Sequence, residues 1–163
     1  MNDDLTSLSA ELGRRLADAG LTLAAAESCT GGWIAKCVTD VAGSSGWFDR
    51  GFVTYSNDAK RDLLGVLAET LDTQGAVSEA VVREMALGAL ARGSARVSVA
   101  VSGIAGPGGG SADKPVGSVC FGFALGGRVT TETLCFDGDR EAVRRQSVAH
   151  ALRRLIDLLA DAG

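Results

Sequence analysis

Three unusual segments of this 163-residue chain gather hydroxyls, an amine and glycines in places where a strand is expected to end. They are Ala26-Glu27-Ser28-Cys29-Thr30-Gly31-Gly32, Tyr55-Ser56-Asn57-Asp58-Ala59-Lys60, and Ser102-Gly103-Ile104-Ala105-Gly106-Pro107-Gly108-Gly109-Gly110. The first reads as a strand–turn–helix. Free N–H groups and the positive end of the helix dipole at Thr30, Gly31 and Gly32 can hold a phosphate or an oxyanion, and the turn can expose Ser28 as a nucleophile. The residues alone equally allow Ser28 or Thr30 to be a plain N-cap. A serine nucleophile needs a base. The single histidine, His150, falls on a helical wheel opposite Val148, Leu152, Leu155, Ile156 and Leu159, so it is expected on the solvated face and a Ser-His-Asp triad is not expected.

The best remaining base is Lys60, in the first turn of a helix after a strand. Half-neutrality at pH 7 costs about 4.6 kcal/mol relative to lysine's ordinary value. Burial, a neighbouring cation such as Arg61, or a helix N-terminus would push that way. Tyr55 can relay a proton or hydrogen-bond the serine, or it can be a half-buried strand aromatic. The third segment is no Walker A loop, because Gly109 and Gly110 stand where the lysine and Ser/Thr would be, and it carries no G-x-G-x-x-G. It can form a backbone anion nest, or it can be a flexible lead through Lys114-Pro115 into a hairpin. Arg140, Arg144 and Arg145 open the last helix. The last two flank its apolar stripe and can reach a phosphate or snorkel over the core edge.

Composition narrows the class. With 46% apolar and 22% charged residues the chain suits one domain, residues 1–163, with a sizeable core. Glycine is 22 residues, about twice the usual share, and aromatics are only 5%, so the core is aliphatic and small. A net charge of −4 without a basic stripe argues against nucleic acid as a partner. No apolar run is long enough to span a membrane, and the polar, acidic N-terminus does not read as a signal peptide, so a soluble cytoplasmic protein is expected. Four cysteines form no C-x-x-C pair and one histidine cannot complete a zinc set. No metal site and no disulfide framework is expected, and the thiols read as free and in small apolar positions.

The elements that must position these loops follow from periodicity. Leu5, Leu8, Leu12 and Leu16 predict a helix closed by Gly20. Leu21–Ala26 predicts a buried strand, and Ile34, Val38 and Val41 a helix after Gly31-Gly32. Ala42–Arg50 reads as a turn-rich loop, Gly51–Tyr55 as a strand, Asn57–Leu64 as a short helix and Gly65–Gly75 as a loop. Ser78 caps a helix burying Val81, Val82, Met85, Ala89 and Leu90, with Val77 and Val82 spaced as a hydrophobic staple. Arg96–Ser102 alternates valines against small residues, as a central strand covered on both faces would. Val116–Leu125 and Arg128–Phe136 form a hairpin about Gly126-Gly127. A helix from Arg140 to about Asp161, capped by Asp137 or Asp139, closes the chain. The order predicts an α/β fold, a three-layer α/β/α sandwich on a mixed, mostly parallel five-stranded sheet. If the strands are parallel, the three loops converge at their carboxyl edge.

A-E-S-C-T-G-G at 26–32, Y-S-N-D-A-K at 55–60, G-A-V-S at 75–78, and S-G-I-A-G-P-G-G-G at 102–110 leading to K-P-V-G at 114–117 together resemble the CinA C-terminal domain family. The resemblance runs from about Leu21 to Leu155. It implies hydrolysis of the carboxamide of nicotinamide mononucleotide to nicotinate mononucleotide and ammonia, without cofactor or metal. Ser28 would be the nucleophile, Lys60 its base and Tyr55 nearby. Thr30, Gly31, Gly32, Asn57, Ser102, Gly103, Ile104, Ala105, Gly106 and, for the phosphate, Arg140 would hold the substrate. Ser102 departs from the threonine expected there but keeps the hydroxyl. The chain is expected to act as an independent enzyme rather than as a module fused to the molybdopterin-binding-like domain of longer members, and as a homo-oligomer, a dimer by default. The alternative is a pyridine-nucleotide-binding or regulatory module that does not hydrolyse.

Overall fold

The computed structural model describes residues 4–162. In chain order these form α1 (Leu5–Ala19), β1 (Leu23–Glu27), α2 (Trp33–Thr39), a 3-10 turn at Ser44–Gly46, β2 (Phe48–Val53), α3 (Asn57–Leu64), α4 (Ala68–Gln74), α5 (Glu79–Ala91), β3 (Val97–Gly103), β4 (Ser118–Leu125), β5 (Arg128–Cys135) and α6 (Arg140–Ala162). Local chemistry sets several boundaries, at Gly20, Ser78 and Asp139 as expected. Asp4 accepts from the N–H groups of Thr6 and Ser7 to open α1, and Gly20 closes it at φ 68°. Ser56 caps α3 through the Ala59 N–H, and Ser78 caps α5 through that of Val81. The cap of α6 is Asp139, whose Oδ1 accepts from Ala142 N at 2.9 Å.

The sheet runs β2-β1-β3-β4-β5. β1 pairs in parallel with β2 and β3, whereas β4 lies antiparallel to both β3 and β5. The mixed α/β/α sandwich is therefore present, with only β4 running against the other strands. Alternation along the strands sorts the two cores. Leu23 and Ala25, the valines of β3, and Val119, Phe121 and Phe123 face α1, α2 and α6. Ala24 and Ala26, Ala100, Cys120 and Ala124 face α3, α4 and α5. Among the described residues no helix is long and apolar enough to cross a membrane.

Four expectations need correction. β2 starts at Phe48, inside the expected loop, because parallel pairing with β1 sets Phe48 opposite Leu23 and the Leu23 N–H donates to the Trp47 carbonyl at 2.8 Å. Ala68–Gln74, expected as loop, is α4. His150 does not face solvent: its side chain is 18% exposed, its ring lies 4.6 Å from that of Phe121, and Nε2 is 2.6 Å from Glu132 Oε1. α6 is buried over a wider arc than its apolar stripe suggests, including Ser147, Ala149 and Ala151, and this turns His150 onto β4 and β5. Of the thiols, Cys29, Cys37 and Cys120 are buried and free, and Cys135 is free but exposed rather than in a small apolar niche.

Candidate active site

β1 continues through α2 to β2 on one side, and the chain then crosses back over α3–α5 to β3 on the other. This reversal opens a crevice at the carboxyl ends of β1 and β3, the place where open α/β sheets bind ligands. Ser28 follows β1 there, tied to β3 by its N–H donating to the Val101 carbonyl at 2.9 Å. The first turn of α3 delivers Lys60 to the same place from the β2 side. The lysine is 1% exposed, and its Nζ lies 2.9 Å from Ser28 Oγ, 2.9 Å from the Thr54 carbonyl and 3.3 Å from the Tyr55 carbonyl.

The geometry at Nζ has a direct consequence. Carbonyls only accept, so Thr54 and Tyr55 take two of its N–H groups. The third tetrahedral position faces Ser28 Oγ. In the neutral amine it is a lone pair, able to receive the hydroxyl proton. Burial favours that form by holding the Lys60 pKa below its ordinary 10.5. The expected cation neighbour is not Arg61, whose guanidinium turns outward to Asp58 at 3.8 Å. Cys29 lies beside the serine with its thiol pushed up to about 11 by burial, so it is protonated at neutral pH.

A cleft of about 290 Å³ opens over this pair. Ser28, Lys60, Tyr55, Asn57, Arg140 and the whole run Ser102–Gly106 line it, as expected. Arg140 donates to the Gly106 carbonyl at 2.8 Å and to the Tyr55 hydroxyl at 2.9 Å, so it bridges the glycine loop and the second loop. Its remaining N–H groups are available to an anion. Tyr55 therefore serves Lys60 through its carbonyl. Its phenol oxygen accepts from Arg140 and, among the described residues, makes no hydrogen bond to Ser28.

Thr30, Gly31 and Gly32 do not line the cleft, contrary to expectation. Glu27, 1% exposed, uses up that end of the helix. Its Oε1 accepts from Thr30 Oγ1 (2.6 Å), Gly32 N (3.2 Å) and Ile34 N (2.9 Å), and Oε2 from Ala35 N (3.0 Å). The buried Glu27 side chain takes the N–H groups that the helix start was expected to offer to a phosphate or an oxyanion. An acidic residue at the end of a strand just ahead of a helix was the signal for this role. The cleft also has a wall that the sequence reading did not assign to the site, Ala76 and Val77 of the G-A-V-S segment.

Fold and site together define a doubly wound α/β/α protein with a buried serine–lysine pair at its switch point. Residues 5–159 match the model of the CinA C-terminal domain, and the chain belongs to that family. It is 57% identical over 155 residues, 94% of each chain, to the nicotinamide-nucleotide amidohydrolase PncC of Escherichia coli strain K12. To PncC of Pseudomonas putida it is 51% identical, covering 96% of this chain and 98% of that one. Among solved structures, the competence damage-inducible protein A of Klebsiella pneumoniae matches with a TM-score of 0.94 at 44% identity, over 97% of this chain and 98% of that one. The competence/damage inducible protein CihA of Agrobacterium tumefaciens matches at 0.92 and 49% identity, over 97% of each.

Proposed function

We propose that this chain, acting as a single domain, hydrolyses the carboxamide of nicotinamide mononucleotide to nicotinate mononucleotide and ammonia, with Ser28 as nucleophile and Lys60 as general base and acid. The observation that carries the reading is the buried Lys60 Nζ, 2.9 Å from Ser28 Oγ with its other contacts taken by carbonyls. The relatives named nicotinamide-nucleotide amidohydrolase, at 51–57% identity, supply the substrate class.

In this reading Ser28 Oγ forms a bond to the carboxamide carbon as its proton passes to neutral Lys60, and the carbonyl electron pair moves onto oxygen. Collapse of the adduct breaks the C–N bond, and Lys60 returns the proton to the departing nitrogen, releasing ammonia. Water then attacks the acyl-serine, giving one proton to Lys60. The ester C–Oγ bond breaks and the proton returns to Ser28, leaving the carboxylic acid. Arg140 suits the nucleotide phosphate. The Ser102 hydroxyl, unbonded to protein among the described residues, and Asn57 suit its polar edges. No step calls on a metal, and a soluble cytoplasmic setting fits a nucleotide substrate.

Ammonia release from nicotinamide mononucleotide, without added metal, tests the proposal. Ser28→Ala and Lys60→Ala should each lower kcat by at least about 10³-fold. Full activity in both variants would overturn the mechanism. A folded wild type that binds the nucleotide but releases no ammonia would make the chain a sensor.

A further inference from the structure

Arg144, expected to reach a phosphate or to snorkel over the edge of the core, lies over Trp33 at that edge. From the second turn of α6 its Nε donates to the Cys29 carbonyl at 3.0 Å and its Nη2 to the Thr30 carbonyl at 3.2 Å, across more than a hundred residues of chain. The guanidinium carbon sits 5.6 Å from the centre of the Trp33 ring, a cation–π seat that fixes its plane. A Cβ built at Gly31 would stand 3.3 Å from Arg144 Nη2, so the glycine leaves the arginine its approach.

The two carbonyls it holds belong to the turn that carries the serine. A peptide unit is planar with its C=O and N–H opposed, so fixing one end aims the other. Arg144 fixes the 30–31 unit, whose Gly31 N–H donates to the Ser28 carbonyl at 3.1 Å. That bond fixes the 28–29 unit and so aims the Cys29 N–H. Arg144 fixes the 29–30 unit directly through the Cys29 carbonyl. Both planes flanking Cys29 are therefore held, one by Arg144 itself and one through Gly31. Apart from its own thiol, the Cys29 N–H meets no acceptor among the described residues, and Cys29 lines the cleft beside Ser28.

We infer that Arg144 is a positioning residue for the reaction: it aims and polarises the main-chain N–H of Cys29 so that this group receives the negative oxygen formed when Ser28 attacks. A cation donating to the carbonyl ends of the turn also strengthens the opposed N–H dipoles. Its field reaches Cys29 closely enough to oppose the effect of burial on the thiol. The inference rests on the hydrolysis proposed above.

Steady-state kinetics of ammonia release across pH, with Arg144→Met, Arg144→Gln and Arg144→Lys, test it. Support for a charge that exists only in the transition state belongs in kcat. Arg144→Met and Arg144→Gln should lose about 100-fold in kcat, with KM within about threefold and the acid limb of the pH profile unmoved. Arg144→Lys, which keeps the charge but not the fork, should fall between them and the wild type. A loss confined to KM, a shifted acid limb, or wild-type kcat in Arg144→Gln would overturn the inference. If Arg144→Met does not fold, the other two variants carry the same test. Wild type without ammonia release sinks the hydrolysis reading itself; an active wild type with fully active Arg144 variants sinks this inference alone.

Discussion

Lys60 is a buried amine surrounded by two carbonyls and a hydroxyl, with no carboxylate among the described residues paired to it to balance a positive charge. Burial lowers its pKa from 10.5, so between the lowered folded value and the ordinary unfolded one the unfolded chain binds a proton that the folded chain does not. Two pH effects follow. Under the proposed mechanism kcat/KM rises with pH through the lowered Lys60 value and then levels, because only the neutral amine can take the serine proton. Stability rises with pH across the same window, since the state that binds more protons loses ground as protons become scarce. Urea unfolding of wild type and Lys60→Met from neutral pH to pH 10 checks the second effect. The wild type should gain stability relative to the variant as pH increases. A constant difference between the two would mean that Lys60 stays charged in the fold, and the base would have to be sought elsewhere.

The turn between β1 and α2 shows how an element boundary can be built from one side chain. Glu27 ends β1 and accepts from the N–H groups of Gly32, the cap of α2, and of Ile34 and Ala35 in its first turn, together with the Thr30 hydroxyl. In Glu27→Gln the amide oxygen can keep the donors now on Oε1, but the NH₂ group then meets the Ala35 N–H, donor against donor. The variant should lose about 2 kcal/mol, read as a lower urea midpoint with an unchanged slope; an unchanged midpoint would contradict this account. Elements governed by local chemistry were legible in the sequence. Asn57–Leu64 carries its own serine cap and glycine stop, and both bounds agree with the reading. α4 was not legible because little in it is local. Only Leu71 of its residues is buried, no side chain of its own caps it, and its start is held by Glu84 of α5, which accepts from Leu67 N at 2.8 Å and Thr70 Oγ1 at 2.6 Å. The site divides in the same way. Ser28, Lys60 and the Ser102–Gly106 run were visible from residue type and from their places after strands. The occupation of the α2 start by Glu27 and the reach of Arg144 depend on side-chain directions that spacing does not encode.

At the scale of the whole molecule, the two faces of the sheet set two different layer spacings. The valines of β3 and the phenylalanines of β4 fill the space beneath α1, α2 and α6, whereas the opposite face is stripped to Ala24, Ala26, Ser98, Ala100, Cys120, Gly122 and Ala124. The alternation in β3 was readable as a strand covered on both sides; the structure adds that the small face lets α5 settle close to the sheet. Ser98 Oγ donates to the Ala86 carbonyl of α5 at 2.7 Å, a bond that only a short side chain beneath a near helix can make. Gly122 lies under the same helix, where a Cβ would stand 2.5 Å from the Val82 carbonyl oxygen and 2.9 Å from its carbon. Those are backbone atoms, so no rotamer change relieves the clash. Gly122→Ala must lift α5, and with it Ala76 and Val77, which enter α5 and line the cleft beside Lys60. The expected outcome is a loss of about 2–3 kcal/mol of stability together with a raised KM in the ammonia-release assay, because the wall formed by Ala76 and Val77 moves relative to Ser28, which the Val101 carbonyl ties to β3. Gly46→Ala is the control, since a Cβ there meets nothing within 4 Å and its φ is not positive; both readings should remain at wild type. If Gly122→Ala were as stable as the wild type, the sheet would tolerate a wider layer and this contact would not set the spacing. If stability fell but KM did not move, the wall formed by Ala76 and Val77 would be anchored independently of α5, through the Lys114 Nζ bond to the Gln74 carbonyl at 2.7 Å.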